Sequence, residues 1–466
     1  MTPLKLTLDR SARLPVAGQI AQALRTAITQ GQLARGARLP SWRDLAAQLG
    51  VARGTVQAAY EALADAQLIV SSGAAGTHVA RQVLPEPSRT VRGMAAMRDP
   101  IADYPQAAGV FQMGMPAQDG FPAKAWARIA ARAARDAAHA PLRYPDPRGE
   151  DPLRTAIAAY LAVARGMACS PAQVFVVSGH TAGIALSVQA LGVRGRAWCE
   201  DPGYPPTRDV LAALSIARVA VPVDAQGLDV AAGVRAAPDA ALAVVTPGQQ
   251  APLGVGLSPA RRRALLDWAA ASGAWVLEDD YLSELQLQGR AAPSLAATDS
   301  AGRVLHLGTF SKTISPALRL GFLVVPAEQV PRFDAAARLF GSAPPPPVQN
   351  AVTAFLQGGH LLRHLRRMKR LYLQRRDALV ACLRAAGADH RTSGLSVLVR
   401  LPEAVSDVEL ARAARQHGLA PVPLSPWYCG PGVAHTGLLL GVTNVPVQDA
   451  ARHYATLQAL MGRHAD

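Results

Sequence analysis

The spacing of hydrophobic positions divides the chain into two regions of different character. Over the first 65 residues, apolar side chains such as Ile20, Leu24 and Ile28 recur at the interval of one helix face. This pattern predicts three helices, over about 16–29, 42–49 and 52–64. Farther along, continuous apolar runs at 174–177, 274–277 and 304–307 are typical of buried parallel strands. The sequence therefore predicts a small helical unit followed by a larger α/β unit.

The ends of the second and third helices carry clear signals. Ser41 is a good N-cap with Asp44 three residues later, and Gly50 ends that helix. After the third helix, 68–70 and 77–79 have the composition of two short strands joined by a glycine-containing turn. Closely spaced helices followed by a two-stranded wing indicate a winged helix-turn-helix.

Side chains near the start of the third helix are candidates for contact with DNA. A recognition helix meets base edges through its first residues, which here include Arg53, Thr55 and Gln57. Ser41 and Arg43, at the start of the preceding helix, are expected to hold phosphate. The alternative is a small helical bundle whose arginines are merely solvated.

Lys312 is the most informative residue of the larger unit. The chain has only four lysines, and this one follows the apolar run 304–307. A desolvated lysine loses its proton more easily and can then form a Schiff base with a carbonyl compound. Thr309, Ser311 and Arg319 lie close by in the sequence and suit a phosphate group. Together they predict a pyridoxal phosphate lysine; alone, Lys312 would more often be a surface lysine at a strand end.

Three further segments fit the same cofactor. Asp279 and Tyr281 follow the apolar run 274–277, where an acid can keep a pyridine nitrogen protonated and a phenol can bond the ring oxygen. The turn Ser178-Gly179-His180 opens a helical segment and leaves backbone N–H groups for phosphate. Tyr204 follows a Pro-Gly turn, from which its ring could stack on the cofactor. Each feature is also common without any ligand.

These segments, in this order, resemble a fold-type I aminotransferase from about Met113 to the end. The resemblance implies that Lys312 is the Schiff-base lysine, Asp279 the partner of the pyridine nitrogen, Tyr281 the partner of the ring oxygen and Tyr204 the stacking aromatic. It also implies a phosphate-binding cup, which consists of Ser178, Gly179, His180, Thr309, Ser311 and Arg319.

The front of the chain resembles the GntR winged helix, notably over 39–46 and 55–63. Both halves in this order are similar to the MocR-like subfamily of GntR regulators. The resemblance implies a DNA-binding domain over 1–81, a linker over 82–112 and an α/β aminotransferase-like domain over 113–466, with a mostly parallel sheet and a smaller α+β subdomain. It also implies a homodimer with an aminotransferase-like core, and hence a double-stranded operator with two half-sites.

Two departures from the family pattern bear on function. The family has an arginine for the substrate carboxylate near the C-terminus, but 435–442 contains none. Ala251 also stands where the family has an aromatic residue and the enzymes an asparagine. Since orientation of the substrate supplies much of the rate of transamination, ordinary turnover of amino acids is not expected. The wing has Ser71 and Ser72 where a basic residue is usual, so its contacts with DNA should be weak.

Composition narrows the class of protein. The net charge of +15 favours a polyanionic partner, although its arginines are spread over both halves. The four cysteines lack metal-ligand spacing, so we expect a reducing cytoplasm and no metal. No apolar run is long enough for a membrane span.

The leading hypothesis is a pyridoxal-phosphate-dependent transcription regulator. Its effector would be an amino compound or pyridoxal phosphate itself. The competing hypotheses are a working aminotransferase that carries a DNA-binding domain and a cofactor-free regulator that keeps the fold only for dimerisation.

Overall fold

The computed structural model describes residues 8–9, 12, 14–71, 76–80, 109–140, 143–289, 291–341, 343–430 and 435–465. The chain forms two units, Met1–Arg98 and Asp99–Asp466. Most of the predicted linker, 82–108, lies outside the described residues. Among the described residues, none of the helices combines the length and hydropathy needed to span a bilayer.

The first unit is a winged helix-turn-helix, as the sequence predicts. It consists of α1 (Val16–Thr29), α2 (Trp42–Leu49), α3 (Arg53–Asp65) and the antiparallel pair β1 (Ile69–Ser71) and β2 (Thr77–Val79). Apolar side chains from all five elements form one core, to which each helix contributes the stripe that its periodicity predicts. The tip of the wing, 72–75, lies outside the described residues.

Local capping fixes the entry into α2. The Ser41 hydroxyl accepts a hydrogen bond from the Asp44 backbone N–H at 3.1 Å and donates one to the Asp44 carboxylate at 2.8 Å. Gly50 ends the helix in the left-handed conformation, which glycine adopts without strain. Both predicted boundaries are confirmed.

The second unit is built on an eight-stranded sheet of order β3-β10-β9-β8-β7-β4-β5-β6. Only β10 and β6 run antiparallel to their neighbours in this sheet. Its strands are β3 (Val174–Val177), β4 (Arg196–Asp201), β5 (Ala217–Asp224), β6 (Gly227–Leu228), β7 (Leu242–Val245), β8 (Trp275–Asp280), β9 (Val304–Thr309) and β10 (Gly321–Val324).

Helices cover both faces of the sheet, which explains why its strands are continuously apolar. Along β3, Val174 and Val176 belong to one core whereas Phe175 and Val177 belong to another. The helices are α4 (Ala123–His139), α5 (Asp151–Arg165), α6 (His180–Leu191), α7 (Pro205–Ala213), α8 (Val230–Ala236), α9 (Pro259–Ser272), α10 (Val330–Phe340) and α11 (Pro346–Gln357).

A smaller α+β subdomain follows, joined through the long helix α12 (His360–Ala385). Its antiparallel sheet has the order β11-β12-β14-β13, and α13 and α14 pack beside it. The elements are β11 (His390–Ser393), β12 (Ser396–Arg400), α13 (Asp407–Arg415), β13 (Val422–Pro423), β14 (Gly437–Gly441) and α14 (Ala450–Ala465). The predicted fold class is thereby confirmed.

The predicted linker extends too far at its C-terminal end. Val110 pairs with the backbone at Leu419, and Phe111 is fully buried and accepts a hydrogen bond from the Gly441 N–H at 2.7 Å. Residues 109–112 therefore belong to the second unit. Proline-rich neighbours hide this in the sequence, because a single backbone bridge leaves no periodic pattern.

We expect Gly308→Ala to destabilise the second unit by about 1–3 kcal/mol, because overpacking in a filled core is costly. A β-carbon at Gly308, in β9, would lie 2.2 Å from the Phe322 ring. Urea unfolding of the full chain measures the change. Gly462→Ala is the control, because Gly462 is exposed in α14 and no neighbouring atom lies within 4 Å of a β-carbon added there. The free energy of unfolding of this variant should rise by about 0.5–1 kcal/mol. Equal midpoints for the two variants would contradict the packing argument.

Candidate functional site

The topology of the large sheet gathers the candidate residues at one edge. The carboxyl ends of the parallel strands β3, β4, β8 and β9 meet there, and antiparallel β10 begins there. His180 follows β3, Tyr204 follows β4, and Arg319 comes just before β10. Ligands of open α/β sheets bind at this edge.

A cavity of about 360 Å³ lies at the same edge. Eight of the ten side chains predicted to bind the cofactor line it: Tyr204, His180, Asp279, Tyr281, Thr309, Ser311, Lys312 and Arg319. Gly179 lies beside Arg319, which lines the cavity: a β-carbon at Gly179 would lie 3.3 Å from the Arg319 guanidinium. Ser178, half-buried in the same turn, is not among the lining residues. The structure thus brings together most of a set that spans over 140 positions of sequence.

Lys312 extends into this cavity. Its Nζ donates a hydrogen bond to the Gly114 carbonyl oxygen at 3.1 Å. Burial lowers the pKa of the ammonium group, and the Asp279 carboxylate partly opposes this change. Gly114 has φ 78°, and a β-carbon on it would lie 2.7 Å from Nζ, so a glycine is required beside the lysine. The arrangement favours the neutral amine that a Schiff base needs.

Asp279 and His180 form a pair on the floor of the cavity. The Asp279 carboxylate is buried and lies 3.2 Å from His180 Nδ1, while His180 Nε2 lies 2.9 Å from the Thr207 hydroxyl. Such contacts fix the direction of the carboxylate. Burial also raises the pKa of the Tyr281 hydroxyl, so this phenol stays protonated and can donate a hydrogen bond.

The turn before α6 suits a phosphate. Gly179, with φ 111°, leads into the N-terminus of α6, where unpaired backbone N–H groups favour an anion. Arg319 faces this turn, and Thr309 orders the Ser311 backbone by accepting its N–H at 3.1 Å.

These groups fit pyridoxal phosphate. Arg319, the α6 N-terminus and the hydroxyls of Thr309 and Ser311 would hold its phosphate, Asp279 its ring nitrogen, and Lys312 its aldehyde carbon. When bound, the cofactor supplies an electron sink for chemistry at an amine carbon. The individual roles of these side chains remain predictions.

A second set of buried charges supports Asp279, and sequence analysis did not identify it. The Glu278 carboxylate accepts hydrogen bonds from Ser294 at 2.5 Å and from the Leu295 N–H at 2.8 Å, and it lies 3.1 Å from His306. Burial alone would raise the pKa of Glu278, but the bonds from His306 and its neighbours lower it to about 2. Asp280 pairs with buried Arg165 at 2.8 Å. These carboxylates are therefore structural partners of the site.

Glu200, at the end of β4, is also buried and was not predicted. Its carboxylate accepts hydrogen bonds from the Thr246 N–H at 2.9 Å, the Thr246 hydroxyl at 2.6 Å and the Gln250 amide at 3.3 Å. Burial raises its pKa to about 7, although the Thr246 bonds oppose this rise. Thr246 lines the cavity, so Glu200 fixes the loop that carries Ala251.

Hydrogen bonds tie the large sheet to the small subdomain beside the cavity. Buried Arg208 donates to the Trp427 carbonyl oxygen at 2.8 Å, which also accepts the Gly203 N–H at 3.0 Å. Asp201 accepts the N–H groups of Cys429 and Gly430 at 2.7 and 3.2 Å. Tyr204 packs against the Trp427 ring, with ring centres 5.8 Å apart.

The predicted DNA contacts lie on the surface of the first unit. Arg53 is the first residue of α3 and is exposed, and Thr55 is half-buried beside it. Gln57 donates to Glu61 at 2.9 Å, and Arg43 packs over the Trp42 ring. Ser41 already caps α2, so its hydroxyl is engaged within the protein.

We expect Glu200→Gln to remove a pH dependence of stability. The folded-state pKa of about 7 exceeds the usual value near 4.5, so the folded chain holds a proton that the unfolded chain loses first. The stability that this proton confers on the folded chain is fully present below pH 4.5. The free energy of unfolding then falls by about 3 kcal/mol as the pH rises to about 7. Urea unfolding from pH 4.5 to 7.5 should show this decline in the wild type and a smaller one in the variant. Parallel curves would show that Glu200 ionises normally.

Comparison with known proteins agrees with this geometry. Residues 111–439 match the aminotransferase class I and II family, and residues 16–79 match the gntR family of bacterial regulatory proteins.

Two bacterial regulators are similar to this chain over most of its length. The probable rhizopine catabolism regulatory protein MocR of Rhizobium meliloti is 35% identical, over 90% of this chain and 88% of that protein. The HTH-type pyridoxine biosynthesis transcriptional regulator PdxR of Corynebacterium glutamicum is 32% identical, over 80% of each chain.

Among solved structures, the α-aminoadipate aminotransferase LysN of Thermus thermophilus, complexed with N-(5'-phosphopyridoxyl)-L-leucine, is similar to the second unit. Its TM-score is 0.67 at 25% identity, and the match covers 77% of this chain and 96% of that one. The shared fold and the fit of the cavity assign pyridoxal phosphate as the cofactor. The chain belongs to the MocR-type members of the GntR regulators, in which a winged helix-turn-helix precedes an aminotransferase domain of class I and II.

Proposed function

We propose that this regulator binds pyridoxal phosphate at Lys312 and changes its affinity for an operator when an effector reaches the same cavity. The observation that carries the proposal is the convergence of Lys312, Asp279 and Arg319 on one cavity, in a chain that also presents Arg53 on a recognition helix. A scaffold without cofactor would have no use for this set of groups.

The chain's own groups have separate tasks in this proposal. Arg319 and the N-terminus of α6 neutralise the phosphate, and the Asp279–His180 pair holds a proton at the ring nitrogen. Burial lowers the pKa of Lys312, which favours loss of the proton from its amine. Tyr281 donates to the ring oxygen, and the Gly114 carbonyl oxygen accepts a hydrogen bond from Lys312 Nζ.

Two effectors fit this cavity, namely an amino compound and pyridoxal phosphate itself. The name of the Corynebacterium relative connects that protein to pyridoxine biosynthesis, which supports the cofactor as effector. The name of the Rhizobium relative connects that protein to rhizopine catabolism and not to the cofactor, so the amino compound remains the alternative effector. Either ligand changes DNA affinity only by binding two arrangements of the protein unequally.

The proposed assembly is a homodimer in the cytoplasm, joined through the aminotransferase domains, on an operator with two half-sites. Two-fold symmetry of the protein would match the symmetry of the operator.

A working aminotransferase is the second candidate. The complete set of Lys312, Asp279 and Arg319 favours it, whereas the absence of arginine from 435–442 argues against clamping of the carboxylate as in the family's enzymes. Steady turnover of an amino acid with a keto acid would support this candidate.

Lys312→Ala should abolish the visible absorption band that pyridoxal phosphate gives with the wild-type protein, because no other lysine is expected in the cavity. Borohydride reduction and peptide mass mapping should place the wild-type adduct on Lys312. The same samples should lose any effect of the cofactor on operator affinity in a gel-shift titration. Lys124→Ala, on exposed α4, is the control and should behave as the wild type. An adduct on another lysine would contradict the proposal.

Arg53→Ala should weaken operator binding by about 1–3 kcal/mol and relax the preference for one base pair, if Arg53 bonds a base edge. Selection from a random DNA library, followed by affinity measurement, tests both effects. Arg25→Ala, on the exposed face of α1, is the matched control for loss of one positive charge. Equal weakening on all sequences would make Arg53 a phosphate contact instead.

A further inference from the structure

Part of the lining of the cavity is apolar and lies outside the set of groups that fit the cofactor. Leu395, Val422, Pro423 and Trp427 come from the small subdomain, and Met113 and Ala251 come from the segments before α4 and after β7. A mostly apolar lining with a few polar groups is typical of sites that bind small organic molecules. The apolar side chains therefore help to decide which ligand fits beside the cofactor.

Several of these side chains belong to one hydrophobic cluster. The buried centre of the cluster consists of Leu398, Leu424, Trp427 and Leu439. Met113, Ala251 and Val422 pack against this centre, line the cavity and are only half-buried. Covering the apolar surface that these three side chains still expose is favourable by the hydrophobic effect. The cavity thus offers a ligand apolar surface that this chain leaves uncovered.

The apolar surface begins next to Lys312. Met113 precedes Gly114, whose carbonyl oxygen accepts the hydrogen bond from Lys312 Nζ at 3.1 Å. Adjacent Cα atoms lie only about 3.8 Å apart, so Met113 is close to the lysine. The Trp427 ring lies 5.8 Å from the ring of Tyr204, the residue predicted to stack on the cofactor. A ligand whose amine faces Lys312 can therefore place its substituent against Met113 and Trp427.

Four polar side chains in the small-subdomain part of the lining already have partners. The hydroxyl groups donate as follows: Ser393 to the Pro252 carbonyl oxygen at 2.5 Å, Ser396 to the Ser393 carbonyl oxygen at 2.9 Å, and Thr443 to the Met115 carbonyl oxygen at 2.5 Å. Arg415 also has an interaction partner in the chain. Because a hydroxyl group has only one proton to donate, the new contacts that the small subdomain offers a ligand are mainly apolar.

Ala251 leaves space in the apolar lining, and its backbone is held in place. The buried Gln250 amide donates to the Ala251 carbonyl oxygen at 2.6 Å and to the Pro202 carbonyl oxygen at 2.7 Å. The same side chain accepts the Leu253 N–H at 3.0 Å. Closing the space by moving Ala251 would break these hydrogen bonds, whereas a ligand can fill the space and leave them intact.

We infer that the effector is a primary amine that carries a branched or aromatic hydrocarbon group. Its nitrogen faces Lys312. Its hydrocarbon group packs on Met113 and Trp427, beside Ala251. This inference rests on the proposed function, because the amine must meet the cofactor at that lysine. It selects the amino compound over pyridoxal phosphate alone as the regulatory ligand.

The test uses a ladder of methylamine, propylamine, isoamylamine and phenethylamine, together with the isosteric pair butylamine and methoxyethylamine. Each amine is titrated into the full-length protein loaded with pyridoxal phosphate, and the half-saturating concentration is read from the change in the cofactor's visible band. Titration of each amine into free pyridoxal phosphate corrects for differences in amine reactivity. Calorimetric titration of the same amines gives an independent affinity.

Affinity should rise about fourfold for each added methylene group that the cavity buries, and phenethylamine should bind at least about tenfold more tightly than methylamine. Butylamine should bind more tightly than methoxyethylamine, because an ether oxygen in an apolar lining loses its hydrogen bonds to water. The amines that bind most tightly should also change operator affinity in a gel-shift titration. An affinity that does not rise along the ladder, or tight binding without a change in operator affinity, would overturn the inference.

Ala251→Phe fills the space in the lining and should weaken phenethylamine binding about tenfold more than methylamine binding, because the larger ligand meets the new ring. Val422→Ser should reduce the preference for butylamine over methoxyethylamine by about threefold. Val163→Ser, on exposed α5, is the matched control and should keep the full preference. Equal effects of Ala251→Phe on both amines, together with an unchanged preference in Val422→Ser, would place the hydrocarbon group elsewhere and contradict the inference.

Failure of this inference is distinguishable from failure of the proposed function. A protein with a normal cofactor band whose affinity is flat along the ladder contradicts the apolar amine alone. A protein that forms no band contradicts the proposed function, and calorimetry with the same amines still decides whether affinity follows apolar size. Normal circular dichroism of each variant shows that a lost preference is not a loss of folding.

Discussion

Three successive carboxyl groups at the end of one buried strand are the constraint on which the site depends. Glu278, Asp279 and Asp280 end β8, and each is less than a tenth exposed. Burial of an ionised carboxylate without partners costs several kcal/mol, so the surrounding sequence must supply donors on both faces of the sheet. Side chains alternate along a strand, which sends Asp279 to one face and its two neighbours to the other.

The carboxylates on the two faces of β8 have different roles. On the face away from the cavity, His306 and Arg165 hold Glu278 and Asp280, so the end of β8 cannot rotate without breaking ion pairs. On the cavity face, Asp279 lies 3.2 Å from His180 Nδ1 and lines the cavity. The buried pairs thus fix the direction of Asp279, the carboxylate that is predicted to face a pyridine nitrogen. Glu200 does the same for the loop at Thr246.

Sequence reasoning identified the groups that carry local signals and missed those defined by distant contacts. Lys312 and Asp279 each follow a run of apolar residues, and Ser41 has its capping partner three residues away, so short windows suffice. Arg165 and Asp280 are 115 positions apart, and Lys312 and Gly114 are 198 apart. No spacing rule links such residues in a single sequence. The strand pattern also predicted the sheet. Val110 and Phe111 were assigned to the linker, because their contacts with Leu419 and Gly441 are visible only in the folded structure.

For a bound effector to change DNA binding, occupation of the cavity must change the structure outside the cavity. The hydrogen bonds beside Tyr204 can couple the two, because they join the large sheet to the small subdomain. The Trp427 carbonyl oxygen accepts from both Gly203 and Arg208, and Asp201 accepts two N–H groups of the small subdomain. These bonds set one distance between the subdomain and the sheet. A ligand that contacts both the sheet and the subdomain favours the separation at which the groups at both of its ends form hydrogen bonds. Because hydrogen bonds weaken steeply with misalignment, the subdomain must follow the ligand or lose those bonds. A ligand that contacted both the sheet and the subdomain would therefore change the position of the subdomain.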